Sequence, residues 1–167
     1  MNTLSHSSSQ APKLVILGFG NLLMGDEGIG IHIINLLREK NLPNHVEIVD
    51  GGTAATKIFH FLEGVTKLVV VDAIRTGGKP GTIHRKQIKN VSTLRPSWGF
   101  SQHQLGVGEA MLMTKLEGKL PENIVLVGVE PKDVSPGTRL SREVAMAIPK
   151  VLEFVMEEVH KECSSQN

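Results

Sequence analysis

Three observations predict an α/β fold, a single three-layer domain with a mostly parallel twisted sheet and helices on both faces. Short runs of Val, Ile and Leu recur along the chain, without the alternation of half-exposed strands, as expected of strands buried on both sides. Segments with apolar residues at helical spacing lie between the first of these runs. The connections are short, and a β-α-β-α-β order with short connections builds a parallel sheet covered on both faces. A chain of 167 residues fits one such domain. At this length about 70% of the unfolded surface can be buried, so the core needs no disulfide.

Residues 1–12 are polar and Ser-rich and read as a flexible arm before the domain at 13–160; residues 161–167 read as a polar tail. Lys13-Leu14-Val15-Ile16-Leu17 is the first strand, stopping at Gly18. After a Gly-rich stretch to Gly30, Ile29, Ile33, Leu36 and Leu37 form one helical stripe, ending near Lys40. Val46-Glu47-Ile48-Val49-Asp50 is the second strand, punctuated by Gly51-Gly52. Ala54, Ile58, Phe61 and Leu62 make a second stripe with Thr53 as its N-cap, and Lys67 to Val71 is a third strand ending in Asp72. Thr82-Ile83-His84-Arg85-Lys86 alternates like an edge strand. A polar loop is expected from Asn90 to about Gln102, a helix from Leu105 to Leu116, and a buried strand from Asn123 to Val129. Ser141 is placed to cap a last helix with the stripe Val144, Ile148, Leu152, Val155, Val159, kinked at Pro149.

Composition removes several classes of function. With 18 Lys+Arg against 17 Asp+Glu there is no broad basic field for nucleic acid. Five Phe, one Trp and no Tyr leave no aromatic platform for bases or sugars. Cys163 is the only thiol, so thiolate zinc sites and iron–sulfur clusters are excluded, and its place in the polar tail suits a nucleophile poorly. No apolar run approaches a membrane span, and residues 1–12 carry no apolar signal stretch; a cytoplasmic protein is expected.

Ligands of open parallel sheets bind beyond the carboxyl ends of the strands, where the strand order reverses. The first strand leads to Asp26 and Glu27, the second ends at Asp50 and the third at Asp72. A strand order beginning 2-1-3 brings Glu27 and Asp72 to one crevice. His103, ahead of the helix at Leu105, is the histidine of the long loop that can join them. Two carboxylates and an imidazole suit nickel, zinc, iron or manganese with positions left open for water or substrate. Each residue also has an ordinary reading. Asp26 reads as a helix cap, Asp50 and Asp72 as turn residues, and His6, His32, His45, His60, His84 and His160 as surface or satisfied histidines. Gly18-Phe19-Gly20 imitates a dinucleotide fingerprint, but Leu23 stands where the third glycine belongs, and acids precede the helix where a pyrophosphate wants bare amides.

Gly18-Phe19-Gly20-Asn21-Leu22-Leu23-Met24-Gly25-Asp26-Glu27-Gly28-Ile29-Gly30 resembles the opening motif of the nickel–iron hydrogenase maturation endopeptidases. Asp50-Gly51-Gly52-Thr53, Val70-Val71-Asp72-Ala73, Ser101-Gln102-His103-Gln104-Leu105-Gly106 and Leu126-Val127-Gly128-Val129-Glu130-Pro131 are similar to its later motifs, in order. The likeness runs from Leu14 to about Val159. It departs in the Ser-rich arm and at Thr138-Arg139-Leu140-Ser141, where a Gly-Leu-Ser-like approach to the last helix is expected.

The resemblance implies a peptidase domain that removes a C-terminal extension from a hydrogenase large-subunit precursor after nickel insertion. It places Glu27, Asp72 and His103 at the family's metal-contacting positions, as both metal and catalytic residues. The implied metal is a divalent ion, nickel carried by the substrate, with cadmium or zinc as surrogates. The implied partner is the large-subunit precursor, with no nucleic acid or membrane, and the free enzyme is expected to be a monomer. A water nucleophile is the economical mechanism, because no Ser–His–Asp or Cys–His set is visible; which carboxylate acts as base stays open. Two competing classes are a nickel-binding chaperone without peptidase activity, using the same trio, and a dinucleotide-binding oxidoreductase.

Overall fold

The computed structural model describes residues 13–53, 62, 64–89, 111, 115–116 and 118–164. Five strands form one sheet: β1 (Lys13–Phe19), β2 (Val46–Gly52), β3 (Val65–Ala73), β4 (Ile83–Ile88) and β5 (Asn123–Val129). Their spatial order is β2-β1-β3-β5-β4. The first four in that order run parallel, and β4 lies antiparallel on β5. The β1–β3 adjacency that a shared crevice requires is present, with Gly18 opposite Val71. Among the described residues, no helix is long and apolar enough to cross a membrane.

The strands run past their apolar cores. β1 continues through Gly18 and Phe19, β2 through Gly51 and Gly52, and β3 through Asp72 and Ala73. Pairing backbone to backbone needs no apolar side chain, so hydropathy places these ends too early. β4 starts one residue later and ends two residues later than the segment expected, and it pairs Ile83 with Val129 through Ile88 with Ile124. Its Arg85 and Lys86 charge the sheet edge, a common guard against pairing with another chain.

Side-chain alternation splits the core in two. One face carries Leu14, Ile16, Val69, Val71, Val125 and Val127, packed under helix α1 (Ile29–Arg38) and helix α2 (Arg142–Ser164). The other carries Val15, Leu17, Leu68, Val70 and Leu126, packed with Leu62 and with Met111, whose backbone is helical. Asp72 alternates onto this second face. Ser141 caps α2 as expected, its Oγ accepting the Val144 N–H at 3.4 Å. α2 passes through Pro149 and on to Ser164, into the stretch read as a polar tail. The N-terminal arm, the second helical stripe, most of the helix expected from Leu105, the loop from Asn90, His6, His60 and His103 lie outside the described residues.

Candidate functional site

The order β2-β1-β3 makes the β1/β3 boundary the switch point, and the candidate acids gather there. After Phe19 the chain loops back through a short 3₁₀ turn, Gly25–Gly28, which packs against β3 and leads into α1. Two glycines allow this. A Cβ on Gly30 would stand 2.2 Å from the Phe19 carbonyl oxygen and 2.4 Å from that of Val71, so the first turn of α1 rests directly on the ends of β1 and β3. A Cβ on Gly20 would stand 1.9 Å from the Glu27 carbonyl oxygen, and Gly20 has φ +142°, a conformation that favours glycine.

Glu27 therefore sits above the end of β1, and Asp72 follows Val71 at the end of the neighbouring strand. Both are buried, Glu27 at 6% exposure and Asp72 at 0%. Asp72 Oδ1 accepts the Ala73 N–H at 2.7 Å, which fixes the side chain at the strand end. Glu27 stands just before the N-terminus of α1, where the helix dipole favours an anion. Among the described residues, no three His, Cys, Asp or Glu side chains form a metal-sized cluster.

Asp26 differs from its expected role. The N-cap of α1 is Gly28, with no side-chain cap bond. Asp26, fully buried, turns away from α1. Its Oδ2 accepts the N–H groups of Lys132 at 2.8 Å and Asp133 at 2.9 Å, and its Oδ1 accepts that of Ser141 at 2.6 Å. It ties the 3₁₀ turn to the loop between β5 and α2. Asp50 is exposed and lies within β2, paired with Gly18, rather than in the turn one of its readings gave it; its Oδ1 accepts the Gly52 N–H at 2.8 Å. The Gly52 carbonyl in turn accepts the Gly20 N–H at 3.0 Å.

Glu130 is the residue whose importance the sequence reading missed. It is 4% exposed and stands just past the end of β5. Its Oε2 accepts the Thr76 N–H at 2.8 Å and the Thr76 hydroxyl at 2.7 Å, and its Oε1 accepts the Gly77 N–H at 3.1 Å. Burial pushes this carboxyl up, but the bonds from Thr76, Gly77 and Gly78 outweigh it and hold the group below the usual carboxylate range. His84 Nε2 lies 3.7 Å from Glu130 Oε2 and 3.4 Å from Thr76 Oγ1, so this histidine is partnered, as an ordinary reading had it. The available signal was an acid directly after an apolar strand.

The turn amides decide against a dinucleotide cradle. The N–H groups of Met24, Gly25, Asp26 and Glu27 bond to the carbonyls of Asn21, Gly137, Asp133 and Met24, at 2.8–3.1 Å. Leu23 N–H bonds to Asn21 Oδ1 at 3.0 Å. A pyrophosphate would find these donors already engaged.

Fold and site together define an α/β protein with a buried acidic pair above its switch point and a sealed turn where nucleotide-binding folds keep a phosphate loop. Comparison with known proteins carries this further. The family model described as HycI, hydrogenase maturation protease, matches residues 31–158. The Escherichia coli hydrogenase 2 maturation protease is 34% identical over 146 residues, covering 86% of this chain and 88% of its own. A Methanocaldococcus jannaschii protein named a putative hydrogenase maturation protease is 34% identical over 155 residues, covering 89% and 97%. The solved structure of the hydrogenase maturating endopeptidase HybD from E. coli superposes with a TM-score of 0.81 at 32% identity, covering 89% of this chain and 93% of that one. The chain belongs to the hydrogenase maturation protease family.

Proposed function

We propose that this protease removes the C-terminal extension of a nickel–iron hydrogenase large-subunit precursor once nickel is in place, and that Glu27, Asp72 and His103 contact that nickel. The observation that carries the reading is the convergence of two buried acids, Glu27 and Asp72, on the switch point between adjacent parallel strands. The donor set fits a divalent ion. Two carboxylates and one imidazole match the hardness of nickel.

Nickel here belongs to the substrate, serving as the mark of a finished precursor and as a Lewis acid near the scissile carbonyl. Water attacks that carbonyl while a carboxylate of the pair takes its proton, which then passes to the leaving amine. The dry surroundings of Glu27 and Asp72 strengthen their hold on a cation. Cadmium or zinc serves as a surrogate for nickel in binding experiments, and the free protein is a monomer in this reading.

The test is a gel assay of precursor shortening by the purified protein. Nickel-loaded precursor should be trimmed and nickel-free precursor left intact; equal cutting of both would remove nickel as the mark. Binding of loaded precursor without cleavage would favour the chaperone reading. Cys163→Ala should retain full activity, and a loss would bring back a thiol nucleophile.

A further inference from the structure

The two acids sit on different pieces of chain, Glu27 in the 3₁₀ turn and Asp72 at the end of β3, and each piece is tied to residues 130–133. On one side, Lys132 and Asp133 donate their N–H groups to Asp26, the neighbour of Glu27. The Asp133 carbonyl also accepts the Asp26 N–H at 2.8 Å. On the other side, the Glu130 carboxylate gathers Thr76 and Gly77, four and five residues beyond Asp72. Backbone bonds reinforce this second tie: Ile74 N–H to the Val129 carbonyl at 2.9 Å, Gly81 N–H to that of Glu130 at 2.8 Å, and Glu130 N–H to that of Thr82 at 2.9 Å.

We infer that residues 130–133 form a strut that sets the spacing between Glu27 and Asp72, with Asp26 and Glu130 as its two positioning residues. The strut rests on the role given above to the acidic pair. Neither positioning carboxylate touches substrate. Asp26 spends its oxygens on three N–H groups and Glu130 on the donors of Thr76 and Gly77. Both are buried where a carboxylate without donors would be costly, so they fix backbone and leave the chemistry to the neighbours they orient. An amide in place of either carboxylate keeps the shape but turns one acceptor into a donor facing an N–H. The tie on that side then slackens.

The experiment compares Glu130→Gln, Asp26→Asn and the milder Thr76→Val, which removes only the hydroxyl donor to Glu130. Glu158→Gln, an equally buried acid at the far end of the sheet, is the control. Steady-state cleavage of nickel-loaded precursor should show kcat lowered between about tenfold and a hundredfold in the first two, with KM within about twofold. Thr76→Val should lose a few-fold in kcat and remains informative if the other variants fold poorly. The control should keep wild-type kcat even where it melts earlier. A second readout needs no activity. Spin labels on Leu23→Cys and Lys79→Cys, in a Cys163→Ala background, stand at exposed positions on the two tied pieces. Their distance distribution should be narrow in the parent and broader in Glu130→Gln or Thr76→Val. Unchanged kcat together with an unchanged distribution overturns the strut, as does an equal kcat loss in Glu158→Gln. If the parent protein cuts no precursor, the substrate reading fails, and the label distances alone decide the strut.

Discussion

Charge is buried at both ends of the sheet, but by different means. At the carboxyl ends of the parallel strands, Asp26 and Glu130 are held by backbone N–H groups and one hydroxyl. At the amino end, Lys67, 2% exposed, reaches across to α2. Its Nζ lies 2.9 Å from Glu158 Oε2 and 3.6 Å from Glu162 Oε2, and it donates to the Glu158 carbonyl at 3.0 Å. Arg85 joins from β4, pairing with Glu157 and Glu158, its guanidinium 5.0 Å from the centre of the Phe154 ring. Lys161 bonds Glu158 at 2.9 Å. In this network three cations meet three carboxylates, and the amino end is self-neutralised. Asp26 and Glu130 at the carboxyl end are stabilised by neutral dipoles, without a lysine or arginine among the bonds described. One end locks the helix to the sheet with ion pairs; the other ties its loops together with hydrogen bonds.

The comparison predicts that function and stability separate by pole. The largest effect should be Asp72→Asn or Glu27→Gln, which should lower precursor cleavage by about a thousandfold, within the usual range for a lost acid–base group, while the melting temperature moves little. In the same assay Lys67→Ala should leave kcat at the wild-type value. Calorimetry should instead show a loss of about 3 kcal/mol, because Glu158 loses one of its partners in a buried place. At about 2–4 °C per kcal/mol, the midpoint should fall by roughly 6–12 °C. Should Lys67→Ala impair cleavage as strongly as melting, the poles are coupled and the contrast breaks.

A pH titration sharpens the amino end. Burial pushes the Glu158 carboxyl up, but bonds from Lys67, Lys161 and Arg85 pull it down from 4.5 to about 2. A depressed carboxylate contributes stability that is complete above its unfolded value and lost as pH falls toward the folded one. Thermal stability should therefore decline between about pH 5 and pH 2. Glu158→Gln should flatten that stretch of the curve, and an unchanged slope would remove Glu158 as its source. The smallest effect should be Ser141→Ala, about 1 kcal/mol from the lost cap of α2. Activity should survive, because Asp26 accepts the backbone N–H of Ser141 and the substitution keeps it.

What the sequence made legible follows from what is local. The apolar runs located four strands of the sheet, the alternation from Thr82 to Lys86 located β4, and the spacing of Ile29, Ile33 and Leu37 located α1. The acids at the ends of the first and third runs were legible because the switch-point rule turns topology into an address. Roles that depend on distant backbone were not. Asp26 meets partners 106 to 115 positions away, and all three are amide groups carrying no side-chain signal. Lys67 opens the third strand as read from the sequence, and only the passage of α2 over it shows why a lysine can be buried there. The insertion of β5 between β3 and β4 was equally hidden, since strand order is set by which edges remain open.

That insertion has a consequence for synthesis. β5 is the last strand made, yet it fills the gap between the third and fourth. Until it emerges, β3 presents an unpaired edge, and residues 130–133 are not there to join its end to the Glu27 turn. A nascent chain on the ribosome can build β1, α1 and β2 in sequence, but it holds its two acids without their common support. Competence should therefore arrive late and abruptly, after the segment that accepts from β3 and the loop that donates to Asp26 leave the exit tunnel. Before that moment the exposed strand edge is the hazard, inviting pairing with other chains. Slow translation ahead of Asn123 would prolong it.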